Sequence, residues 1–176
     1  MMVFIQKYDT GELTAEMKKV DKIINDAEFR RISVMIKERE FDRVFCRHSL
    51  GHALSVARIA RIICLEEGLD LDNEKLYAAA LLHDIGRYSS YEEEGMSHHE
   101  AGALVAAPIL ERAGFGKKAA KEICDAIKLH KNKSDEDGSL ADVLYRADKL
   151  SRNCFMCDAR EECYWSEDRK NKSILY

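Results

Sequence analysis

A single proline, Pro108, stands in 176 residues, and this scarcity constrains the fold more than any other feature of the chain. Proline deletes a backbone donor and breaks helical ladders, so long stretches here are free to run as helices. Apolar residues recur at three- and four-residue spacing, and the nine glycines fall mostly between those stretches. The expected fold class is all-α: one domain, a multi-helix bundle. At this length a sizeable core can be buried within a single domain.

The helices can be placed approximately. Leu13, Met17, Val20, Ile23 and Ile24 follow a helical period, with Thr14 as candidate N-cap. Phe29, Ile32, Val34, Met35 and Ile36 mark a second helix, and Phe41 to Phe45 are expected to lead into a third. The pattern from His48 to Glu67 ends at Gly68, and Asn73 is a candidate cap for the helix carrying Leu76 to His83. Residues 86–97 read as a loop. Helices are expected over about 98–113, interrupted little by Pro108, then 117–130 and 140–152. The organisation is N-terminal helices (1–44), a core (45–152) and a cysteine-containing tail (153–176) of the same domain.

Composition excludes several roles. A net charge of −4 and a pI near 5.9 argue against general nucleic-acid or anionic-membrane binding, though not against a local basic pocket. No segment is long and apolar enough to be a signal peptide or a membrane span, so a cytoplasmic location is expected.

Ionisable residues cluster at helix ends and on apolar faces: His52, His83-Asp84, His98, His130 and Asp148, spread over five helices. One such histidine is usually a hydrogen-bonded core residue. Burying all six groups without a common partner is costly, and a metal centre satisfies them together.

HALSVARIA (52–60), AALLHDIGR (79–87), HHEAGA (98–103), AIKLH (126–130) and YRADKLSR (145–152) occur in this order. In that order they resemble the motifs of the HD-domain superfamily of metal-dependent phosphohydrolases. The resemblance implies an HD-type bundle with a buried centre of two divalent ions, iron, manganese or similar. His52, His83, Asp84 and Asp148 would hold one ion; His98 and His130 would add a second, with Asp84 bridging. It implies hydrolysis of a nucleotide, dinucleoside polyphosphate or related phosphate ester by metal-bound hydroxide. Asp84, Arg87 and Lys149 are the candidate catalytic residues, the two cations as phosphate or charge-stabilising groups. Arg87 stands where many relatives carry Lys, and no Gly-Tyr-Pro signature of cyclic-dinucleotide enzymes is present. The alternatives are a di-iron oxygenase on the same ligand set, or a non-catalytic nucleotide-binding module.

Two choices rest on spacing. His48 lies four residues before His52, hence on the same helix face if helical, but Val56 favours His52 as the ligand. His98 is preferred to His99 because Gly102 follows it by four residues.

The tail CFMCDAREEC (154–163) is not explained by the resemblance. Cys154, Cys157 and Cys163 have zinc- or iron–sulfur-like spacing, with Cys46 a candidate fourth ligand and His48 the next. The alternative is four reduced thiols packed at a helix end. Cys64 and Cys124 sit in apolar helical patterns and read as core residues.

Overall fold

The structure, a computed structural model, describes residues 16–91 and 96–176. Among them are seven α-helices and no strands: α1 (Lys18–Asn25), α2 (Ala27–Arg39), α3 (Leu50–Glu67), α4 (Asn73–Leu82), α5 (His98–Ala113), α6 (Lys117–Leu129) and α7 (Leu140–Leu150). Two short 3-10 segments, Ile85–Tyr91 and Cys154–Met156, complete the order. This is the all-α bundle expected. The candidate cap Thr14 and the apolar Leu13 lie outside the described residues.

α4 is the axis of the bundle. Leu76 and Ala78 to Leu82 are all buried, as expected of a helix that is apolar all round. α3 packs against α4 and α7, while α6 packs against α4, α5 and α7. Ile63, Leu82, Ile109, Ile127 and Leu144 are fully buried within this core. α1 packs against α2, α4 and α5, and α2 against the first 3-10 segment.

Helix starts follow local chemistry. Asp26, Ser49, Asp72, Ser97 and Ser139 each accept a backbone N–H of the first turn, and Ser97 forms a capping box with Glu100. Asp72, not Asn73, caps α4, because its carboxylate reaches the Lys75 N–H at 2.9 Å. Pro108 neither ends nor begins α5. It lies on the exposed face, as does Leu104 one turn before, so the backbone donor it lacks is missing on the solvent side of the helix.

Two other expectations need correcting. Phe41 to Phe45 do not enter a helix; α3 starts only at Leu50. The intervening chain bends around Glu40, whose carboxylate accepts the His48 backbone N–H at 2.7 Å, while Arg43 Nε donates to the Cys46 carbonyl at 2.9 Å. Those polar groups are satisfied outside a helical ladder, and His48 therefore precedes α3 rather than sharing its face with His52. The 3-10 segment Ile85–Tyr91 takes up the first part of the loop expected over 86–97. Residues 92–95 lie outside the described residues.

That 3-10 segment is pinned by a close backbone approach. A Cβ on Gly86 would stand 2.0 Å from the His98 carbonyl oxygen and 2.2 Å from the Gly102 amide nitrogen. Only glycine fits, and the fit seats the start of α5 directly on the turn after α4.

Candidate metal centre

α4 ends in a turn that carries His83 and Asp84 into the interior, 1% and 8% exposed. His83 Nδ1 donates to the Ala80 carbonyl at 2.7 Å and His130 Nδ1 to the Ile127 carbonyl at 2.6 Å. A carbonyl can only accept, so both rings carry a proton on Nδ1 and turn Nε2 toward the centre.

Asp84 is the hub. Its Oδ2 lies 2.9 Å from His83 Nε2 and 3.7 Å from His52 Nε2; its Oδ1 lies 3.9 Å from both His98 Nε2 and His130 Nε2. The two carboxylate oxygens thus face different histidines. His52, His83 and Asp84 form one group able to hold a metal ion, and Asp84, His98 and His130 form another. Asp148 adjoins the first group, with Oδ1 3.2 Å from His52 Nε2 and 3.8 Å from His83 Nε2.

Several of these atoms are orphans. His52 Nε2 and His98 Nε2 are buried without a hydrogen-bond partner, and His83 Nε2 and Asp84 Oδ2, although 2.9 Å apart, are not aligned for a hydrogen bond. Four unsatisfied polar atoms at one point are expensive unless something binds them. Imidazole nitrogens and carboxylate oxygens are the donor set of a divalent transition metal, so the residues present fit such a group.

The electrostatics suit the same donors. Burial holds His52 and His130 down at about 4 and, with Arg87 and Lys131 assisting, His98 at about 3. These rings are neutral and able to donate at neutral pH. His83 differs: burial pulls it down, but Asp84 and Asp148 outweigh that and push it up to about 10. Burial raises both carboxyls, yet the surrounding cations win and hold Asp84 and Asp148 well below the usual range.

All six histidines of the chain are linked by edge-on ring contacts, from His48 through His52, His83, His130 and His98 to His99, at 5.1 to 5.8 Å between centroids. His99 belongs to neither group, although its buried Nδ1 is also unpartnered. His48 donates from Nδ1 to Glu40 Oε1 at 2.7 Å and brings Nε2 to 3.9 Å from Asp84 Oδ2.

The two candidate catalytic cations are held by carboxylates. Arg87 Nε donates to Asp84 Oδ1 at 2.7 Å, and Lys149 Nζ donates to Asp148 Oδ2. Two participants had not been expected. Glu40, 2% exposed, orients His48, and no sequence signal marks it. Arg152 donates to Asp148 Oδ1 at 2.8 Å; its i+4 spacing from Asp148 on a helical pattern was the available clue.

The centre forms the floor of a cavity of about 610 Å³ whose walls come from α3, the end of α7 and the C-terminal tail. Nine lysine and arginine side chains line it against two carboxylates, Asp84 and Asp148. In a chain of net charge −4, this is a strong local concentration of positive charge. Phe45, Tyr164 and Trp165 add aromatic wall. The tail cysteines line the same space, as does Cys46.

A helical bundle that closes around a His-Asp doublet and further histidines from its other helices is the HD-type architecture. The chain belongs to the HD-domain family: the family's sequence profile, described as "HD domain", matches residues 49–153. A protein of Clostridium beijerinckii described as uncharacterized is 39% identical over 91% of this chain and 100% of its own length. Ribonuclease Y of Mycoplasma mycoides subsp. mycoides is 30% identical over 73% of this chain, which spans only 23% of that protein. Among solved structures, a predicted HD superfamily hydrolase from an uncultured Thermotogales bacterium matches with TM-score 0.56 and 28% identity, covering 80% of each chain. No helix among the described residues is long and apolar enough to cross a membrane.

Proposed function

We propose that the protein is a metal-dependent phosphohydrolase acting on a nucleotide, dinucleoside polyphosphate or related phosphate ester. The observation that carries this reading is one carboxylate, Asp84, shared by two groups of potential metal ligands, in a cavity rich in cations. His52, His83, Asp84 and Asp148 would hold one divalent ion; Asp84, His98 and His130 would hold a second. Two such ions would supply a nucleophile at neutral pH and neutralise charge on the phosphoryl group.

The chain's own residues do the rest. Neutral His52, His98 and His130 offer lone pairs without first losing a proton. Arg87 and Lys149, fixed on Asp84 and Asp148, stand where phosphoryl oxygens would meet the centre. Arg43, Arg47, Lys131 and Arg169, which add further positive charge to the cavity, suit a chain of phosphates better than a single one, and the aromatic wall of Phe45, Tyr164 and Trp165 offers flat surfaces for a base. The name Ribonuclease Y gives those relatives an RNA substrate, so a short RNA belongs among the candidates tested.

The test is product formation from nucleotides, dinucleoside polyphosphates and an RNA oligonucleotide with manganese or ferrous iron, wild type beside Asp84→Ala. Cleavage of one class that vanishes in the variant supports the reading. Turnover that requires oxygen, from protein carrying two irons, overturns it in favour of oxidative chemistry. Metal-loaded protein that cleaves none of the panel also overturns it.

A further inference from the structure

The tail from Asn153 to Tyr176 poses a physical problem independent of the His/Asp centre. Its only helical element is the three-residue turn Cys154–Met156, and it contributes nothing to the main hydrophobic cluster, which ends at Leu150. Met156, Tyr164, Ile174 and Leu175 are exposed. Ordering such a segment costs roughly 1–2 kcal/mol per residue in backbone entropy, and a tail without a core needs another source of stability. Asn171 supplies part of it by donating to the Lys149, Leu150 and Arg152 carbonyls at the end of α7.

The backbone of the tail sets its cysteines together. Cys157 N–H donates to the Cys154 carbonyl, Arg160 N–H to Cys157 and Cys163 N–H to Arg160, a succession of three-residue turns. These turns keep the tail compact, and Cys154, Cys157 and Cys163 all face the same cavity. Cys46 is brought to the same place by its neighbour: the Phe45 ring packs edge-on against Tyr164, beside Cys163, with centroids 6.3 Å apart. All four cysteines are free and line one cavity.

We propose that Cys46, Cys154, Cys157 and Cys163 ligate a second, thiolate-bound metal centre, a zinc ion or an iron–sulfur cluster, that clamps the tail over the mouth of the cavity. Four thiolates are a complete ligand set for either. Arg43, Arg47, Arg152 and Arg160 line the same wall and offset the negative charge that four thiolates bring. Among the described residues only the two His/Asp groups bring three ligand atoms all within 4.8 Å of one another. The sulfurs are therefore set wider than the roughly 3.8 Å that 2.3 Å bonds to one tetrahedral zinc impose. An iron–sulfur cluster, with its sulfide cage between the ligands, suits that wider setting. The position makes the clamp part of the cavity wall, so its loss should also loosen the aromatic side formed by Tyr164 and Trp165.

The test uses the full-length protein purified without oxygen, assayed for zinc, iron and acid-labile sulfide beside Asp84→Ala and Cys157→Ser. The expected result is a metal population that survives Asp84→Ala and is lost in Cys157→Ser. Iron with matching sulfide and visible absorption identifies a cluster; a single zinc per chain without sulfide identifies the ion. Should Cys157→Ser fail to fold, site-resolved alkylation of wild type serves instead. Cys46, Cys154, Cys157 and Cys163 should be protected as isolated and become reactive together after a strong chelator. If all four alkylate freely in the native protein, and every bound metal disappears with Asp84, the proposal is overturned.

Discussion

At the scale of the residue, the centre turns on which nitrogen faces which oxygen. His98 Nε2 faces Asp84 Oδ1, whereas His99 touches the His98 and His130 rings from outside either group. His98→Ala should therefore lose about one metal ion per chain and His99→Ala largely keep both, as read by metal analysis; the reverse result would reassign the ligand. The titration of these rings makes a second prediction, for protein stripped of metal. His52, His98 and His130 take up a proton near pH 6.5 when unfolded but only at about 4, 3 and 4 when folded. The unfolded chain binds more protons across that window, so stability should fall as pH drops from 6.5 toward 4. His83, held at about 10 in the fold, acts oppositely: its contribution is complete below 6.5 and fades as pH rises toward 10. The melting temperature of chelator-treated protein should decline on both sides, more steeply on the acid side, and a flat profile between 6.5 and 4.5 would contradict the buried neutral rings. The sequence carried these ligand-type residues in its motifs. It could not carry Glu40, whose role depends on a chain reversal that no periodicity records.

At the scale of the element, two helices must be locked in register for one carboxylate to face both histidine pairs. The lock is the contact of Gly86 with the His98 carbonyl and the Gly102 amide, both backbone, which no rotamer change can relieve. Gly86→Ala should push α5 off the turn, displacing His98. The expected outcome is a loss of several kcal/mol by denaturant unfolding, together with loss of the ion proposed at His98 and His130. Gly116, which caps α6 without a side-chain hydrogen bond and would meet nothing within 4 Å, is the control. Gly116→Ser should gain a few tenths of a kcal/mol and leave metal content untouched. Equal behaviour of the two variants would remove the register argument. Helices α2 to α7 were legible because their apolar spacing and glycine or serine boundaries are local signals. The start of α3 was not, since the groups that keep residues 41–49 out of the helix are a side chain eight residues away and an arginine that bends back on its own loop.

At the scale of the whole molecule, charge is distributed against the average. The chain is acidic overall, yet the cavity gathers nine cations drawn from positions between 43 and 170. Their dispersal along the sequence hid them, and only the return of the tail over α3 and α7 joins them. The arrangement is self-repelling: Arg87 and Lys149 lower the affinity of Lys131 for its own proton, beyond the larger influence of burial. An anion in the cavity relieves that repulsion, and one with several charges relieves it most. Metal-free protein should therefore bind inorganic tripolyphosphate more tightly than monophosphate, with affinity falling as salt rises from 0.05 to 0.5 M and the screening length contracts below ~10 Å. Lys131→Ala removes a cation from the cavity wall without touching either carboxylate, and should weaken tripolyphosphate about two- to fivefold, the scale of an exposed charge pair. Titration calorimetry at two salt concentrations reads both effects. Equal affinity for the two anions, or binding indifferent to salt, would mean that the cations are already neutralised within the protein, and that the cavity is shaped for a substrate of lower charge.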